Sequence, residues 1–278
     1  MSSPRRSRPS RLGTLLVAVL AGLPAACSSP QPAKDGGTPA SVTPASTVEK
    51  LRVEVIARFP HDESAFTQGL LWHEGELYES TGQRGRSRLR RVEPRSGQVV
   101  LDRPLKPELF GEGLALVDRR LVQLTYTSGL ALVYRLHDLT ELARYRYDGE
   151  GWGLTHDGTR LIMSDGSPRL TFRDDTTFEV IGGVDVTLNG KPLREINELE
   201  WADGQVWANV WTTDHLVRID PETGVVTAVI DASGLLTSRE RAKADVLNGI
   251  AHDPANGLFF LTGKHWPWLF AVQFVPDE

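Results

Sequence analysis

Five positions in the chain carry side chains that could do chemistry. Each is followed by a glycine or glutamate and then by a leucine or isoleucine. They are Gln68, Glu112, Trp152, Asn197 and Asn248. A carboxyl group can carry a proton, a carboxamide can donate a hydrogen bond to a developing oxyanion, and an indole can exclude water. We expect the first four to face a common site, and we assign Asn248 a structural role at its turn.

A second set of residues follows the next apolar segment in each of the same five regions. It consists of Thr81, Tyr126, Asp165, Trp211 and Lys264. The two sets together combine one glutamate and one lysine with amides and aromatic rings, which is the composition of an apolar small-molecule pocket with a few polar groups. Two other functions stay open: a metal-dependent propeller lactonase or hydrolase that uses Glu112, Asn197 and Asp165, and a non-catalytic binding propeller at the cell surface.

These two sets recur because the chain contains an internal repeat. The repeats start near residues 69, 113, 153, 198 and 249. Each consists of a short aliphatic segment, a turn and a second apolar segment. A period of roughly 40–50 residues is typical of one four-stranded propeller blade. We therefore predict an all-β fold, a five-bladed β-propeller over residues 49–278. Its N-terminal strand (51–59) should pair with a C-terminal strand (269–274), and one helix is expected near residues 238–247.

Composition and missing motifs exclude several other classes of function. The net charge is −5 and the body of the chain has no block of basic residues, so no nucleic-acid partner is expected. The single cysteine is Cys27, and the seven histidines lack the spacing of a zinc site. No nucleophile-elbow or dinucleotide-binding motif is present. We therefore predict neither a metal nor a cofactor.

The N-terminal segment indicates export. Arginines at its start, an apolar run over residues 12–23 and small residues before Cys27 are typical of a signal peptide at residues 1–27. Cys27 after two alanines fits a lipoprotein cleavage site, whereas Pro24 departs from that pattern and favours plain secretion. Residues 28–48 are rich in Pro, Ser, Thr and Ala and should form a disordered linker. We expect a periplasmic or cell-envelope protein, attached to the membrane only through a lipid on Cys27.

The body of the chain resembles the plant and bacterial glutaminyl cyclases. The matching segments are Ala65-Phe66-Thr67-Gln68-Gly69-Leu70, Tyr78-Glu79-Ser80-Thr81-Gly82, Phe110-Gly111-Glu112-Gly113, Gly151-Trp152-Gly153-Leu154, Ile196-Asn197-Glu198-Leu199-Glu200, Ala208-Asn209-Val210-Trp211, Leu247-Asn248-Gly249-Ile250 and Leu261-Thr262-Gly263-Lys264-His265-Trp266-Pro267. They occur in order and at blade spacing. The resemblance implies a five-bladed propeller that converts the N-terminal Gln of peptides to pyroglutamate without a metal, and we expect a monomer.

The resemblance also implies roles for individual residues. Glu112 matches the position of the catalytic acid/base of the family. Gln68, Asn197 and Lys264 match polar positions of its pocket. The aromatic walls of the pocket correspond to Phe66, Phe110, Trp152 and Trp211. Tyr126 departs from the tryptophan expected at its position, so its hydroxyl is either incidental or an added hydrogen-bonding group. Burial among aromatic rings should raise the pKa of Glu112, and a nearby Lys264 should oppose that rise.

Overall fold

The structure, a computed structural model, describes residues 47–277. Cys27, the predicted signal peptide and nearly all of the predicted linker lie outside the described residues, and they stay predictions. Within the described range, no helix is long and apolar enough to cross a membrane. The strands and the single helical turn given below account for the secondary structure in that range.

Most of the chain forms short antiparallel strands. Strand β1 spans Glu49–Pro60. Three four-stranded sheets follow, the first with β2 Thr67–His73, β3 Glu76–Thr81, β4 Arg88–Glu93 and β5 Gln98–Pro104. The second has β6 Gly111–Val117, β7 Arg120–Thr125, β8 Leu130–Arg135 and β9 Glu141–Arg146. The third has β10 Leu154–His156, β11 Leu161–Met163, β12 Arg169–Arg173 and β13 Val180–Asp185.

The remaining elements form a hairpin, one helical turn and a larger sheet. The hairpin pairs β14 Thr187–Leu188 with β15 Lys191–Pro192. Next come β16 Ile196–Ala202, β17 Gln205–Val210, β18 His215–Ile219, β19 Val226–Asp231, helix α1 Ser238–Arg241, β20 Leu247–Asp253, β21 Leu258–Gly263 and β22 Trp268–Pro276. Their sheet has the order β16-β17-β18-β19-β1-β22-β21-β20. The predicted all-β fold is confirmed.

Strand β1 pairs with the last strand of the described range, as the sequence predicted. It pairs antiparallel with β22, from Leu51 opposite Pro276 to Pro60 opposite Trp268. Its first four residues also pair in parallel with β19. Because β1 takes hydrogen bonds from both neighbours, neither β19 nor β22 presents an unpaired edge along that stretch.

Five strands surround a common axis: β2, β6 and β10 from the four-stranded sheets, and β16 and β20 from the two ends of the eight-stranded sheet. Strand β2 contacts β6, β6 contacts β10, β10 contacts β16, β16 contacts β20, and β20 contacts β2. Two-residue turns with positive φ link several of these strands to the next one: Glu74-Gly75 leads from β2 to β3, and Asp203-Gly204 leads from β16 to β17. Such turns match the right-handed twist of a hairpin.

The buried apolar side chains form five clusters, and each cluster lies between two neighbouring groups of strands. One example packs Leu89 of the first sheet against Leu114 and Leu121 of the second. The core is therefore divided into layers that separate the sheets, and the axis is left to polar residues and glycines.

The predicted helix is much shorter than expected. It covers only Ser238–Arg241, with Thr237 as its N-cap in a capping box with Glu240. The chain then turns to meet the end of β21: the backbone N–H of Asp245 donates to the carbonyl of Lys264 at 2.8 Å. Helix propensity is a weak preference, and pairing with a neighbouring strand overrides it here.

Candidate active site

A β-bulge shapes the start of four of the five axial strands. Pairing shifts register between Thr67 and Gly69 in β2, between Gly111 and Leu114 in β6, between Ile196 and Leu199 in β16, and between Leu247 and Ile250 in β20. The residues inside these bulges include Gln68, Glu112, Asn197 and Asn248. A bulge frees its residue from the alternation of a regular strand and re-aims the side chain. This local irregularity directs polar groups to the axis.

Glycines beside these residues let the axial strands approach each other closely. A Cβ on Gly113 would lie 2.5 Å from the backbone nitrogen of Leu154, and one on Gly153 would lie 2.0 Å from the carbonyl oxygen of Asn197. No side chain fits at those distances. The fourth repeat has Glu198 at the equivalent position, and its carboxylate accepts hydrogen bonds from the backbone N–H groups of Leu70 and Ile250 at 3.1 and 2.8 Å.

Hydroxyl groups of neighbouring sheets hold two of the bulges in place. The Ser80 hydroxyl donates to the backbone carbonyl of Glu112, and the Ser164 hydroxyl donates to the carbonyl of Asn197 at 2.6 Å. The bulged backbone is thus fixed from the adjacent sheet. The side chains of Glu112 and Asn197 remain free to face the axis.

A cavity of about 180 Å³ lies at this end of the axis. Its lining consists of all nine pocket residues predicted from the sequence: Phe66, Gln68, Phe110, Glu112, Tyr126, Trp152, Asn197, Trp211 and Lys264. Five of them belong to or directly precede axial strands, and the others come from connecting loops. The structure therefore brings the predicted residues together, while their chemical roles stay predictions.

Glu112 is the carboxyl group of this cavity. Its residue is 4% exposed, and its Oε1 accepts a hydrogen bond from Gln68 Nε2 at 2.8 Å. Burial raises the pKa of Glu112 well above its ordinary value, although the nearby charge of Lys264 and the bond from Gln68 both lower that pKa. A carboxyl group with a raised pKa can both accept and return a proton near neutral pH.

Lys264 provides the positive charge of the cavity. Its Nζ lies 4.8 Å from the centre of the Phe66 ring. Its backbone is fixed by the same pairing that shortens the helix, since its N–H donates to the carbonyl of Val246 at 2.9 Å. Burial lowers the pKa of Lys264, and the charge of Glu112 opposes that effect.

Aromatic rings form the walls of the cavity in two groups. Phe66 packs edge-on against Phe110 with 6.0 Å between ring centres, and Phe110 lies 5.8 Å from Tyr126. On the other side, Trp152 and Trp211 are perpendicular with 5.6 Å between centres. Trp211 is 38% exposed and so marks the rim. These walls reduce the access of water to Glu112.

The comparisons with known proteins agree with this geometry. A family model described as glutamine cyclotransferase matches residues 19–274. The chain belongs to the glutamine cyclotransferase family. The glutaminyl-peptide cyclotransferase of Arabidopsis thaliana is 41% identical over 227 residues, which cover 80% of this chain and 71% of that protein. The crystal structure of Myxococcus xanthus glutaminyl cyclase is similar with a TM-score of 0.76 and 41% identity, covering 83% of this chain and all of that one. The resemblance predicted from the sequence is confirmed.

Two residues of the second predicted set do not line the cavity of this glutamine cyclotransferase. The Thr81 hydroxyl is buried and accepts a bond from the backbone N–H of Arg88 at 3.0 Å. Asp165 is exposed, and its carboxylate accepts a bond from the backbone N–H of Ser167 at 2.9 Å in a turn. The repeat placed both residues in equivalent positions, but local hydrogen bonds direct their side chains elsewhere.

The metal site considered in the sequence analysis lacks one of its three ligands, because the Asp165 side chain is held in a turn outside the cavity. It needs Glu112, Asn197 and Asp165 together, and Asp165 lies outside the cavity. Across residues 47–277, no group of three or more His, Cys, Asp or Glu side chains could hold a metal ion. The residues that converge in this glutamine cyclotransferase are one carboxyl, two amides, one ammonium and aromatic rings.

One neighbour of the cavity was missed by the sequence prediction, and another was given only a structural role. The missed residue is Glu150, which accepts a hydrogen bond from the indole Nε1 of Trp152 at 2.9 Å and whose charge also raises the pKa of Glu112. The other is Asn248, which is fully buried and hydrogen-bonded to Gln68. Its position in the repeat, equivalent to Gln68, Glu112 and Asn197, had already placed it in the first predicted set.

Proposed function

We propose that this chain is a glutaminyl-peptide cyclotransferase that converts the N-terminal glutamine of peptides to pyroglutamate. The free α-amine attacks the carbonyl carbon of the glutamine side chain, and a new C–N bond closes a five-membered lactam. The original C–NH₂ bond then breaks and ammonia leaves. Both reacting groups belong to one residue, so a cavity that holds one conformer supplies much of the acceleration.

Glu112 is the proton carrier in this proposal. It takes a proton from the attacking amine and returns it to the nitrogen that leaves, so one carboxyl group serves as base and then as acid. The observation behind this role is that Glu112 is a buried carboxyl group that lines the cavity. Its burial raises its pKa. A carboxyl group with its ordinary pKa would bind protons too weakly near neutral pH to serve as an acid.

Asn197 and Lys264 are our candidates to stabilise the oxyanion. Gln68 already donates to Glu112, whereas the side chains of Asn197 and Lys264 face the cavity with no hydrogen-bond donation to another described residue. A donor aimed at a developing negative charge contributes on the order of 100- to 1,000-fold in rate. The aromatic walls keep the site dry, which also limits hydrolysis of the side chain to glutamate.

The test is ammonia release from a glutamine-initiated dipeptide, with a glutamate-initiated dipeptide as the substrate control. We expect wild-type protein to release ammonia only from the first. Glu112→Gln should reduce kcat on the order of 100- to 10,000-fold without lowering the unfolding temperature. Unchanged kcat in this variant would remove Glu112 as the proton carrier. Wild-type protein inert toward glutamine peptides would instead favour the non-catalytic binding propeller.

We also infer that the sheets are the blades of a five-bladed propeller. The support is the closed ring of five axial strands, together with five core clusters between neighbouring groups of strands. In this description the eight-stranded sheet comprises two blades, β16–β19 and β20–β22 with β1. A crystal structure with four or six axial strands would contradict it.

Export, lipid attachment and a monomeric state are further proposals. The sequence of residues 1–27 supports export, and Cys27 supports a lipid anchor. Labelling of the cells with a fatty-acid analogue should mark the wild-type protein and leave Cys27→Ser unlabelled. We also propose a monomer, and light scattering at assay concentration tests that state.

A further inference from the structure

Asn248 lies behind the cavity and links two residues of strand β2. Its side chain is 0% exposed and stands in the bulge of β20. Its Nδ2 donates to the backbone carbonyl of Thr67 at 3.0 Å and to Gln68 Oε1 at 3.1 Å. Gln68 in turn donates from Nε2 to Glu112 Oε1 at 2.8 Å. Three side chains therefore form one continuous chain of hydrogen bonds that ends at the carboxyl group.

The direction of this chain is fixed at its far end. The carbonyl oxygen of Thr67 can only accept, so the end of the Asn248 amide that faces it must be the NH₂ group. That NH₂ group also faces Gln68, so the Gln68 oxygen is turned toward Asn248. The Gln68 NH₂ group is then left facing Glu112. A reversed Gln68 would bring its NH₂ group against the Asn248 NH₂ group, and both donors would lack an acceptor there.

The other end of the Asn248 amide suggests that the side chain is not there for stability alone. Its Oδ1 is buried and has no hydrogen-bond partner among the described residues. A buried oxygen without a partner costs stability, and an apolar residue of similar shape would avoid that cost. The feature that an apolar residue could not supply is the pair of donors toward Thr67 and Gln68.

We propose that Asn248 is a positioning residue for the cyclisation reaction: it fixes which end of the Gln68 carboxamide faces Glu112. This inference rests on the proposed function for its kinetic consequence, while its geometric content stands independently. Gln68 held in this orientation can only donate to Glu112, and a donated hydrogen bond favours the ionised carboxylate. Glu112 is thereby kept available as a base in a site whose burial favours the protonated form.

Other groups also act on Glu112 and must be held constant in any test. Lys264 favours its ionised form, and Glu150 disfavours it. Burial is the main cause of the raised pKa of the Tyr126 and Tyr147 hydroxyl groups, and the charge of Glu112 adds to it. None of these four residues is hydrogen-bonded to Asn248, so substitution of Asn248 should change the environment of Glu112 only through Gln68.

The kinetic test is the pH dependence of kcat/KM for Asn248→Ala, Gln68→Leu and the double variant. Without Asn248 the Gln68 amide is free to reverse and accept from a protonated Glu112. The acidic limb should then move to higher pH by about one unit, since a hydrogen bond to a charged group is lost. In the Gln68→Leu background the Asn248 substitution should cause no further shift. Additive shifts would mean that Asn248 does not act through Gln68, which would overturn the proposal.

Asn209 offers a matched control for the loss of a buried asparagine. It is 1% exposed, and its Oδ1 accepts from the backbone N–H of Gly249 at 2.9 Å, next to Asn248 in the same bulge. It makes no hydrogen bond to Gln68. Asn209→Ala should lower the unfolding temperature to a similar extent and leave the acidic limb where it is in wild-type protein. A shift equal to that of Asn248→Ala would reduce Asn248 to a purely structural role.

A second measurement needs neither catalysis nor a variant of Asn248 that folds. In wild-type protein, the side-chain amide protons of Gln68, assigned by their loss in Gln68→Leu, are followed by NMR as a function of pH. If they donate to Glu112, they shift with its ionisation, and the shift disappears in Glu112→Gln. Amide protons of Gln68 that ignore Glu112 would overturn the proposed orientation. Because this outcome does not depend on turnover, it separates failure of the positioning role from failure of the proposed enzyme activity.

Discussion

Glu79 and Glu112 are both buried glutamates, and adjacent residues of β2 contact them. Thr67 donates from its hydroxyl to Glu79 at 2.7 Å, while Gln68 donates to Glu112 at 2.8 Å. The two glutamates are 2% and 4% exposed. Despite this similarity, the pKa of Glu79 lies well below its ordinary value and that of Glu112 lies well above it.

The difference comes from direct cationic contacts. In both cases burial is the largest influence and raises the pKa. At Glu79 that influence is overcome by Arg90 at 2.5 Å and His61 at 3.1 Å, both in contact with the carboxylate. At Glu112 the nearest cationic side chain is Lys264, which acts through space and is itself partly desolvated. Burial creates the tendency to hold a proton, and contact ion pairs remove it.

This comparison separates a structural anion from a proton carrier. A carboxylate such as Glu79, which is held by hydrogen bonds to cations, cannot take up a proton near neutral pH. A carboxyl group such as Glu112, which has one amide donor and a more distant cation, can take up and release a proton there. The fold therefore places an ion-pair network beside the cavity, where it holds strand β2, and leaves the axial glutamate without a contact cation.

The largest expected effect is on stability, at Glu79. Glu79→Gln leaves the guanidinium of Arg90 buried with only Asp62 as an anionic partner, at 2.6 Å. Loss of one member of a buried ion pair costs about 3–5 kcal/mol. Chemical denaturation should therefore give a much lower free energy of unfolding, while kcat per folded molecule changes little. Glu112→Gln is the opposite control, with lost turnover and no loss of stability, because a neutral side chain replaces a buried carboxyl group whose pKa is raised.

The pH dependence of the stability of Glu79→Gln sharpens this prediction. The folded-state pKa of Glu79 is lowered, so its contribution is present above the ordinary value of 4.5 and is lost as the pH falls through the folded-state pKa. Wild-type protein should lose stability in acid faster than Glu79→Gln does. Parallel acid unfolding curves for the two proteins would contradict the assignment of Glu79 as a structural anion.

Glu200 provides a third case, a buried carboxyl group that has no cation in contact. It is 6% exposed, accepts from the backbone N–H of His252 at 2.8 Å, and burial raises its pKa to about 8. Its contribution to stability is present below about pH 4.5 and is lost as the pH rises through about 8. Glu200→Gln should flatten the stability profile in this window by about 1.4 kcal/mol per pH unit. Denaturation at closely spaced pH values measures that slope, and Glu74→Gln, in an exposed turn, is the control. Equal slopes in wild type and Glu200→Gln would mean that Glu200 is ionised in the folded protein.

The repeat explains why the cavity could be predicted from the sequence. Residues in equivalent positions of successive repeats reach the same end of an axis, so Gln68, Glu112 and Asn197 could be grouped without knowledge of their contacts. The same logic placed Thr81 and Asp165 incorrectly. Side-chain direction changes with each single residue along a strand, and a local hydrogen bond decides the direction at a strand end.

Contacts between repeats could not be predicted. The bond from Asn248 to Gln68 joins residues 180 positions apart, and the bulges that bring them together have no clear sequence pattern. The helix was overestimated because Ala244 and its neighbours have good helix propensity, while the competing strand pairing of Asp245 with Lys264 lies in another part of the chain. Propensity describes the local segment, and the pairing that overrides it is non-local.

The difference in pKa between Glu79 and Glu112 should become larger when Lys264 is replaced. Lys264→Met removes the main charge that lowers the pKa of Glu112, so that pKa should rise further. The acidic limb of kcat/KM should move to higher pH by about one unit, the low end of the effect of a nearby opposite charge. Lys243→Met, an exposed lysine after helix α1, is the control and should leave the profile unchanged. An acidic limb that stays in place in Lys264→Met would mean that Glu112 does not sense this charge.

The smallest expected effect concerns Tyr126, at a position where the family resemblance led us to expect a tryptophan. Burial, followed by the charge of Glu150, raises the pKa of its hydroxyl, and its ring lies 5.8 Å from Phe110 as part of the wall. If the ring alone matters, Tyr126→Phe and Tyr126→Trp should each keep kcat/KM within about threefold, less than one neutral hydrogen bond. Steady-state kinetics on the glutamine dipeptide measures this. A loss of tenfold or more in Tyr126→Phe, with Tyr126→Trp equally impaired, would instead mean that the hydroxyl binds substrate and adds a polar group to the site beside Gln68, Asn197 and Lys264.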